Sequence, residues 1–398
     1  MMKIGDVAKF QNGFAFKSKD FKKNGEFPII KIKELKDGEV KFFSDSACVD
    51  VDLDDGYRKY LVQEGDVLFA LTGDPVNKPN PLSWVGRVSV YNHKEEALIN
   101  QRVCKLLPTK NVNPKYIYYF FRDFENFYRL ASLATGSASQ ANISTKTIEN
   151  VEIDLPPINV QNRVVEYLDA ISKKIEINNR INNNLYAQAK AIFEERFINI
   201  ESIPEGWKKG NLLDIADYLN GLAMQKFRPK ENETGIPVIK IKELRQGSCD
   251  SNSELCSPNI KPAYIIQDGD VIFSWSGSLL VGIWCGGKCG LNQHLFKVTS
   301  ENYDKWFYYL WTSYHLDRFI AIAADKATTM GHIKREELSK AEVLIPAQND
   351  YKELDSIMAP IFELIISNSI ETRKLAALRD ALLPKLMSGE IDVSEVTA

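Results

Sequence analysis

The sequence is poor in the side chains and motifs that carry most enzymatic chemistry. Its 398 residues include four histidines, and its six cysteines form no C-x-x-C pair. The signatures of zinc proteases, serine hydrolases and protein kinases are absent. Gly282–Cys289 is close to the P-loop pattern, but it lacks the Ser or Thr that would bind Mg²⁺, so a glycine turn between strands is the better interpretation. These absences favour a binding or scaffold role over catalysis.

Features of exported and membrane-embedded proteins are also missing. No apolar run approaches the roughly 20 residues that a bilayer span needs, and the N-terminus has no apolar stretch typical of a signal peptide. We therefore expect a cytoplasmic protein with free thiols. Cys285, Cys289 and His294 come nearest to a metal cluster, but a fourth ligand is missing, so we expect ordinary thiols and no metal.

Neither sign of charge is in excess. Lys and Arg together number 50 against 53 Asp and Glu, which gives a formal net charge of −3. This balance argues against a uniformly basic nucleic-acid coat, although local basic patches remain compatible with DNA binding because the position of each charge matters. The 44% of hydrophobic residues suffices for packed cores. At roughly 150 residues per domain, the length predicts two or three domains.

The sequence does contain an internal repeat. Pro28–Leu35 (PIIKIKEL) returns as Pro237–Leu244 (PVIKIKEL). Four further matches follow in the same order: Asn12-Gly13 with Asn220-Gly221, Gly65–Phe69 with Gly269–Phe273, Asn100-Gln101 with Asn292-Gln293, and Ile153–Pro156 with Val343–Pro346. The offset falls from about 208 to about 190 residues, so the second half carries deletions. Five matches in one order indicate two related halves.

Each half begins with a mixed segment of strands and helices. The alternation in Ile29–Lys33 predicts a strand with one solvated face, on which the two lysines lie. Asp66–Leu71 is mostly apolar and predicts a buried strand. The aromatic-rich segments Tyr116–Phe124 and Trp306–Tyr314 predict helices. Each half therefore contains an α/β or α+β domain of roughly 150 residues.

Each half ends in a long helix. Apolar residues recur at three-and-four spacing from Val164 to Ile192 and again from Leu354 to Leu386. About 38 residues of the first segment run without proline, which corresponds to roughly 57 Å and exceeds one small domain. Pro360 and Pro384 are expected to kink or end the second helix. Two such helices pack most simply against each other, antiparallel about a pseudo-twofold axis.

One pair of residues bears on that packing. Asn178 and Asn368 are equivalent at the offset of 190 and lie on the apolar stripes near the helix midpoints. In an antiparallel pair they would meet and fix the register as a buried polar pair. Alternatively, both side chains are solvated at the edge of the stripe. The sequence leaves these two interpretations about equal.

The predicted fold is therefore an α/β (α+β) multidomain protein. Two similar mixed strand-helix domains are joined by two long antiparallel helices with pseudo-twofold symmetry. We place the first domain at residues 1–157, the first long helix at 158–200, the second domain at 201–347, and the second long helix with a C-terminal tail at 348–398.

Polar side chains suited to nucleic acids lie near the repeated motifs. Lys and Arg contact phosphates, and Arg, Asn and Gln form bidentate hydrogen bonds with bases. The candidate DNA-binding residues are Lys17, Lys31, Lys33, Arg87, Gln101, Arg102, Ser137, Gln140, Asn142, Lys226, Arg228, Lys240, Lys242, Arg245, Gln293, Lys326, Thr328, His332 and Lys334.

Structural alternatives exist for several of these positions. The repetition of Asn100 and Asn292 in otherwise different halves favours a structural role for that Asn. Lys31 and Lys33 could equally lie on a merely solvated face. The small polar loops at 134–142 and 326–332 either approach a phosphate or base edge or are simple turns.

Taken together, the motifs resemble the specificity subunit of type I restriction–modification systems. The resemblance covers nearly the whole chain and rests on their twofold order. It is carried by Pro28–Leu35 and Gly65–Phe69 with their copies, Thr135–Ser144, Leu155–Pro157 before a helix, Pro204–Trp207, and Leu383–Ile391. No Pro-x-Gly-Trp precedes the first half, and we expect the C-terminal tail after Leu386 to take that place, in a circular layout.

The resemblance implies a non-catalytic subunit with two target recognition domains, each reading one half of a split, asymmetric site in double-stranded DNA. The long helices would set the spacing and dock two adenine-N6 methyltransferase subunits that bring S-adenosylmethionine. Restriction subunits with translocase activity would join through these and bring ATP and Mg²⁺. The chain itself would hold no cofactor, lie in the prokaryotic cytoplasm and contact no membrane.

Two other hypotheses remain. The first is a repeat-built protein-interaction scaffold without DNA readout. The second is a self-contained DNA methyltransferase or nuclease, which the missing cofactor and metal motifs disfavour. Basic and acidic residues nearly balance in each domain, with 22 and 21 in residues 1–155 and 17 and 17 in residues 204–346. We therefore expect the isolated chain to bind DNA weakly.

Overall fold

The computed structural model describes residues 1–137, 139–325 and 333–393. The chain divides into two compact units: unit 1 is Met1–Ile171 with Leu378–Ala398, and unit 2 is Ser172–Ala377. Both long helices therefore contribute residues to both units. Within the described ranges, no helix is long and apolar enough to span a membrane.

Unit 1 is built from short strands and short helices. Its strands are β1 (Met2–Lys3), β2 (Ala8–Asn12), β3 (Phe27–Ile30), β4 (Leu35–Lys36), β5 (Glu39–Val40), β6 (Cys48–Val49), β7 (Leu61–Val62), β8 (Val67–Ala70), β9 (Thr72–Gly73), β10 (Val88–Val90), β11 (Ala97–Ile99), β12 (Val103–Pro108), β13 (Thr135–Ser137), β14 (Gln140–Asn142) and β15 (Glu152–Ile153). Its helices are α1 (Ile4–Val7), α2 (Pro114–Arg122), α3 (Phe124–Ser132) and α4 (Thr145–Glu149), and the long helix α5 (Ile158–Phe193) follows.

Unit 2 repeats this order of elements. Its strands are β16 (Lys208–Asn211), β17 (Asp217–Asn220), β18 (Ile236–Ile239), β19 (Leu255–Cys256), β20 (Ile265–Ile266), β21 (Val271–Ser274), β22 (Leu280–Ile283), β23 (Cys289–Leu291), β24 (Leu295–Thr299) and β25 (Glu342–Ile345). Its helices are α6 (Leu212–Ile215), α7 (Ile241–Gln246), α8 (Lys305–Tyr314), α9 (Leu316–Asp325), α10 (Glu336–Ser339) and the long helix α11 (Gln348–Met387).

The main sheets of the two units share a strand order, to which unit 1 adds β5 and β4 at one edge. Unit 1 has the sheets β2-β12-β8-β10-β5-β4 and β6-β3-β11-β7, and unit 2 has β17-β24-β21-β22 and β19-β18-β23-β20. In addition, β1 pairs with β15 as β16 pairs with β25. The central strands β8 and β21 are buried along their length, as their apolar sequences predict. The structure thus confirms two similar mixed strand-helix domains.

The aromatic helices begin where the sequence provides a cap. Asn113 accepts a hydrogen bond from the backbone N–H of Lys115, and Pro114 occupies the first helical position of α2. Asp304 accepts in the same way from the backbone N–H of Trp306 in α8. The prediction of two equivalent helices over these segments is confirmed.

The strand predicted over Ile29–Lys33 is wrong beyond Ile30, where β3 ends. The backbone N–H of Lys31 donates to Glu34 Oε2 at 3.1 Å, which closes a turn instead of continuing the strand. In unit 2 the backbone N–H of Lys240 donates to Glu243 Oε2, also at 3.1 Å, at the start of α7. Both glutamates are buried. The repeated Lys-x-x-Glu is therefore a structural turn, and its lysines do not alternate along a strand.

The repeated Asn-Gly and Asn-Gln motifs pack against each other in the same way in both units. The backbone N–H of Asn100 donates to the carbonyl oxygen of Ile30, and Asn100 is itself buried. A Cβ atom at Gly13 would lie 2.2 Å from the carbonyl oxygen of Asn100. At Gly221 the corresponding distance to the carbonyl oxygen of Asn292 is also 2.2 Å. Both asparagines thus have the structural role that their repetition favoured.

The long helices have 36 residues in α5 and 40 in α11. Of the two expected effects of Pro360 and Pro384, ending the second helix is wrong, because α11 continues through both; a kink at either position stays a prediction. Within unit 2 the helices run antiparallel, since Asn178 bonds to Glu371 and Tyr186 contacts Phe362. Met358 and Phe362, on either side of Pro360, are buried in the core of unit 2, and tertiary packing of this kind supplies most of the stability of a helix.

A buried polar layer joins the two helices within unit 2. Asn368 Nδ2 donates to Asn182 Oδ1 at 3.0 Å, and Asn182 Nδ2 donates to the carbonyl oxygen of Ile365 at 3.1 Å. Asn178 Nδ2 donates to Glu371 Oε2 at 2.8 Å. Asn178 and Asn368 are therefore buried and not solvated, but they do not bond to each other as the register hypothesis expected. Asn178 bonds to Glu371 instead of Asn368, and Asn368 bonds to Asn182 instead of Asn178. Each partner therefore lies about one helical turn from the expected one.

Replacing Asn182 with leucine is expected to lower the free energy of unfolding by about 1–3 kcal/mol. The substitution removes the acceptor of Asn368 Nδ2 and leaves a buried donor without a partner. Urea unfolding followed by circular dichroism measures the change. Asn184→Leu is the control, because Asn184 is exposed on the same helix. Equal stability of the two variants would show that the polar layer does not stabilise the helix pair.

The C-terminal tail belongs to unit 1, as the circular layout requires. Val393 is buried in the core of this unit, and Ile391 packs against it. Arg163 Nη1 donates to the carbonyl oxygen of Val393 at 2.9 Å. The strand that pairs with β15 is nevertheless Met2–Lys3, so the tail adds to the core without supplying that strand.

Candidate DNA-recognition surface

Three segments of unit 1 meet where the central strands end. Strand β8 leads into Leu71, and β12 begins directly after Arg102. The backbone N–H of Leu71 donates to the carbonyl oxygen of Arg102 at 2.9 Å, and that of Ile143 donates to the carbonyl oxygen of Leu71 at 3.0 Å. Residues 71–73, 101–102 and 140–143 thus form one continuous edge, which we call edge 1.

Unit 2 builds the same edge with the same hydrogen bonds. The backbone N–H of Trp275 donates to the carbonyl oxygen of His294 at 3.4 Å, and that of Ile333 donates to the carbonyl oxygen of Trp275 at 3.1 Å. Residues 275–276, 293–294 and 333–334 form this edge 2. Trp275 stands at the position of Leu71, and His294 at the position of Arg102. The sequence repeat is therefore also a repeat of this surface.

The side chains on the two edges differ. Gln101 and Arg102 are exposed, and their side chains form no hydrogen bond or ion pair within the described part of the chain. On edge 2, His294 Nδ1 lies 2.9 Å from Ser276 Oγ. The indole N–H of the half-buried Trp275 donates to Asn220 Oδ1 at 3.0 Å. One edge thus presents an amide and a guanidinium, and the other an amide, an imidazole and an indole.

The β13–β14 hairpin extends edge 1. Ser137 and Gln140 are exposed on it, and Asn142 Oδ1 accepts a hydrogen bond from Thr72 Oγ1 at 2.9 Å. Gly136 has φ +145°, and a Cβ there would lie 2.2 Å from the carbonyl oxygen of Gln140. The hairpin therefore holds polar side chains beside Gln101 and Arg102. Ala138 lies outside the described residues.

Comparison with known proteins identifies the family. The type I restriction modification DNA specificity domain matches residues 1–187 and again 204–379. The chain belongs to this family. It is 26% identical over 328 residues to the type I restriction enzyme MjaIX specificity subunit of Methanocaldococcus jannaschii, which covers 76% of this chain and 75% of the relative. It is 21% identical to the EcoBI specificity subunit of Escherichia coli, over 98% of this chain and 85% of the relative.

A solved structure shows the same fold. The type I restriction-modification S subunit from M. genitalium aligns with a TM-score of 0.59 and 14% identity, over 98% of this chain and 96% of that one. The family match confirms the prediction of a specificity subunit that recognises DNA sequence, a non-catalytic component of such systems.

Several cationic candidates of the specificity subunit are already paired within unit 1. Lys31 Nζ lies 3.7 Å from the centre of the Phe21 ring. Lys33 Nζ lies 2.8 Å from Asp45, and this pairing lowers the pKa of the Asp45 carboxyl. These contacts leave the two lysines less available for DNA than an unpaired cation.

Arg87 is held by the backbone of its own unit. Its Nη1 donates to the carbonyl oxygen of Leu82 at 2.6 Å, and Nη2 donates to that of Ile32 at 3.2 Å. Burial lowers the pKa of the guanidinium. In this structure the guanidinium of the half-buried Arg87 therefore positions the loop before β10.

Three cationic candidates of unit 2 form ion pairs. Arg228 and Lys240 each lie 2.5 Å from a different oxygen of Glu254, and the pKa of Glu254 is lowered mainly by its bond to Lys240. Lys242 lies 2.9 Å from Asp250. All three are partly exposed. Their charges are balanced locally, so they add little net attraction for phosphate.

The remaining candidates differ in their availability. Lys17, Lys226, Arg245 and Lys334 are exposed, and their side chains have no hydrogen bond or ion pair within the ranges that the structure describes. Gln293 is half-buried on edge 2, with Nε2 3.4 Å from His294 Nε2. Lys326, Thr328 and His332 lie outside the described residues.

Among the polar and aromatic side chains of the edges, Thr72, Trp275 and Ser276 were not sequence candidates, whereas His294 belongs to the segment Asn292–His294 that suits base contacts. The signal that finds them is the repeat register, because Trp275-Ser276 follows Gly269–Phe273 as Leu71-Thr72 follows Gly65–Phe69. Sequence analysis missed them because it weighted charge, whereas the shared hydrogen-bond pattern selects neutral positions as well.

The structure also bears on the P-loop interpretation of Gly282–Cys289 and on the possibility of a metal site. Strand β22 ends at Ile283 and β23 begins at Cys289, so a turn between strands occupies the glycine-rich segment, as predicted. All six cysteines are free. In the described part of the chain, no group of three or more His, Cys, Asp or Glu side chains is arranged to hold a metal ion.

Proposed function

We propose that edges 1 and 2 of this specificity subunit read the two halves of a split, asymmetric site in double-stranded DNA. The observation that supports this most directly is the pairing of an identical backbone arrangement with different side chains. Leu71 and Trp275 make equivalent backbone hydrogen bonds, while the adjacent residues are the exposed Gln101-Arg102 in one unit and the half-buried Gln293-His294 in the other. Two domains that recognise different half-sites need a common backbone with different side chains at the contact surface.

The side chains on the edges suit base recognition in the major groove. Glutamine forms bidentate hydrogen bonds with adenine, and arginine forms them with guanine O6 and N7. On edge 1 these groups are Gln101 and Arg102, whose polar atoms have no partner in the described residues. On edge 2, Gln293 and His294 offer donors and acceptors, and the half-buried Trp275 offers an apolar surface to a thymine methyl group.

Phosphate contacts come from cations that the protein does not pair internally. Lys17 in unit 1 and Lys226, Arg245 and Lys334 in unit 2 are exposed and meet this condition among the described residues. Basic and acidic residues are balanced in each domain. Binding by the isolated chain is therefore weak and falls with salt.

Two adenine-N6 methyltransferase subunits dock on the long helices and bring S-adenosylmethionine. Exposed apolar side chains support this docking: within unit 2 they are Ile177 and Ile181 on α5, and Ile357 and Leu364 on α11. Restriction subunits with ATP-driven translocase activity and Mg²⁺ join through the methyltransferases. The assembly acts in the prokaryotic cytoplasm.

Reconstitution with the methyltransferase subunits of the same system tests the proposal. Modified adenines are mapped in methylated DNA, and a split sequence with two defined halves and a fixed spacer is expected. The complex should then bind a duplex with that sequence at least 10³-fold more tightly than a random duplex. Equal binding of both duplexes contradicts the proposal and favours the protein-interaction scaffold.

A further inference from the structure

Unit 1 contains a small cavity beside the start of β10. The cavity lies between the turn that joins β4 to β5, the first residues of β10 and the end of α2, and its volume is about 50 Å³. The charged and hydroxyl side chains in its wall are Asp37, Arg87, Ser89 and Arg122. A buried water needs about 10–15 Å³ of such space, so the cavity has room for a ligand larger than one water molecule.

Two buried polar atoms in this wall have no hydrogen-bond partner among the described residues. They are Ser89 Oγ and Arg87 Nε. Ser89 is only 1% exposed. The other two guanidinium nitrogens of Arg87 donate to backbone carbonyl oxygens. Because buried polar atoms almost always have a partner, these two atoms identify the cavity as a candidate binding site.

The wall carries more positive charge than its neighbours balance. Arg87 forms no ion pair, and Arg122 forms neither an ion pair nor a hydrogen bond, within the part of the chain that the structure describes. Burial lowers the pKa of the Arg87 guanidinium, and the carboxylates of Asp74 and Asp37 only partly oppose this decrease. Asp37 already pairs with Lys41 at 3.2 Å. Buried charges are normally paired, and a water molecule accepts hydrogen bonds without balancing charge, whereas an anion does both.

We propose that this cavity binds a small inorganic anion such as chloride between Arg87, Ser89 and Arg122. The Nε–H of Arg87 and the hydroxyl of Ser89 donate to the anion, and the Arg122 guanidinium adds the second positive charge. The volume is too small for a DNA phosphate with its two sugars, so the ligand is a free ion. The inference therefore does not depend on the proposed DNA recognition.

A bound anion would join separate segments of unit 1. Arg87 Nη1 donates to the carbonyl oxygen of Leu82, in the loop before β10. Arg122, at the end of α2, lies against the β4–β5 turn, where a Cβ atom at Gly38 would be 3.0 Å from the Arg122 Cζ atom. These groups meet only in the folded protein, so an anion that binds between them stabilises the fold. We expect the melting temperature to rise with the logarithm of the chloride concentration above the dissociation constant.

Thermal unfolding of the full chain in sodium chloride and in sodium gluconate tests the proposal. Gluconate is too large for the cavity, and equal ionic strength keeps the general screening of charges the same. The melting temperature should be a few degrees higher in chloride than in gluconate. Equal melting temperatures in the two salts at every concentration would overturn the proposal.

Two variants test the residues that would hold the anion. Ser89→Ala removes the hydroxyl and Arg122→Gln removes a charge, and each should abolish the difference between the two salts. Arg58→Gln is the matched control, because Arg58 is an exposed arginine of the same unit that pairs with Asp54, and it should keep the difference. If Arg58→Gln also lost the difference, or if neither cavity variant lost it, general ion effects and not this cavity would be responsible.

Crystals grown in sodium bromide locate the anion, since bromide replaces chloride and gives an anomalous signal. The expected peak lies within hydrogen-bond distance of Ser89 Oγ and Arg87 Nε, and it should be missing from crystals of Arg122→Gln. A water molecule at that position overturns the proposal. A bromide peak without the chloride effect in solution also overturns it, because that result would show binding at crystal concentration only.

Discussion

Arg102→Ala is expected to relax recognition at one half of the DNA site and to leave the other half unchanged. The Arg102 guanidinium is exposed on edge 1 and has no internal partner among the described residues. A bidentate contact from arginine to guanine contributes about 1–3 kcal/mol of discrimination, which corresponds to roughly 10–100-fold in relative affinity. The backbone of this position stays in place, because Leu71 bonds to the Arg102 carbonyl oxygen and not to its side chain.

Competition with duplexes that carry single base changes measures this effect in the reconstituted complex. Discrimination should fall at a position of one half-site, and Gln293→Ala should act only on the other. Arg58→Ala is the matched control: Arg58 is an exposed arginine of the same unit, but it already pairs with Asp54. Relaxation of both half-sites by Arg102→Ala would show that the edges do not read separate halves. If Arg58→Ala had the same effect, general charge and not readout would be responsible.

Gly221→Ala is expected to destabilise the protein by about 3 kcal/mol or to prevent folding of unit 2. The added Cβ atom would lie 2.2 Å from the carbonyl oxygen of Asn292 and 2.5 Å from that of Leu291. Both are backbone atoms of the segment that leads to edge 2, so neither can move by rotating a side chain. The overlap must therefore separate β17 from the end of β23.

Urea unfolding of both the variant and a control measures this loss. Gly282→Ala is the control, because its Cβ would meet only the end of the Leu244 side chain at 3.3 Å. We expect it to change stability by less than about 1 kcal/mol. The proposed close packing would be contradicted if the two variants were equally stable. Gly13→Ala should repeat the effect in unit 1, where the distance to the Asn100 carbonyl oxygen is the same.

Arg102→Ala changes a side chain that differs between the two halves, whereas Gly221→Ala changes a backbone contact that both halves share. The glycine and asparagine positions are common to both halves because backbone segments approach closely there. Under the proposed function, side chains such as Arg102 and His294 differ because they stand at the same backbone position and would contact different half-sites. Comparison of the two halves therefore distinguishes residues that form the backbone of the edge from residues that we propose to contact DNA.

The failed sequence predictions share one cause. Lys31 and Lys33 alternate with isoleucine, but the buried Glu34 accepts the Lys31 N–H and turns the chain. Pro360 lies inside α11 because Met358 and Phe362 beside it are buried in the core of unit 2. Local pattern favours a strand or a break in these segments, and contacts with distant residues outweigh it.

The sequence alone determined the twofold repeat and the two long helices, since periodic apolar spacing and repeated motifs depend only on residue order. The tertiary structure decided which candidates share a surface. It brought Gln101, Arg102, Gln140 and Asn142 onto one edge, paired Lys33 and Lys242 with carboxylates, and placed Trp275 opposite His294. The edge depends on hydrogen bonds between segments tens of residues apart, such as those of Leu71 with Arg102 and Ile143, which no local pattern encodes.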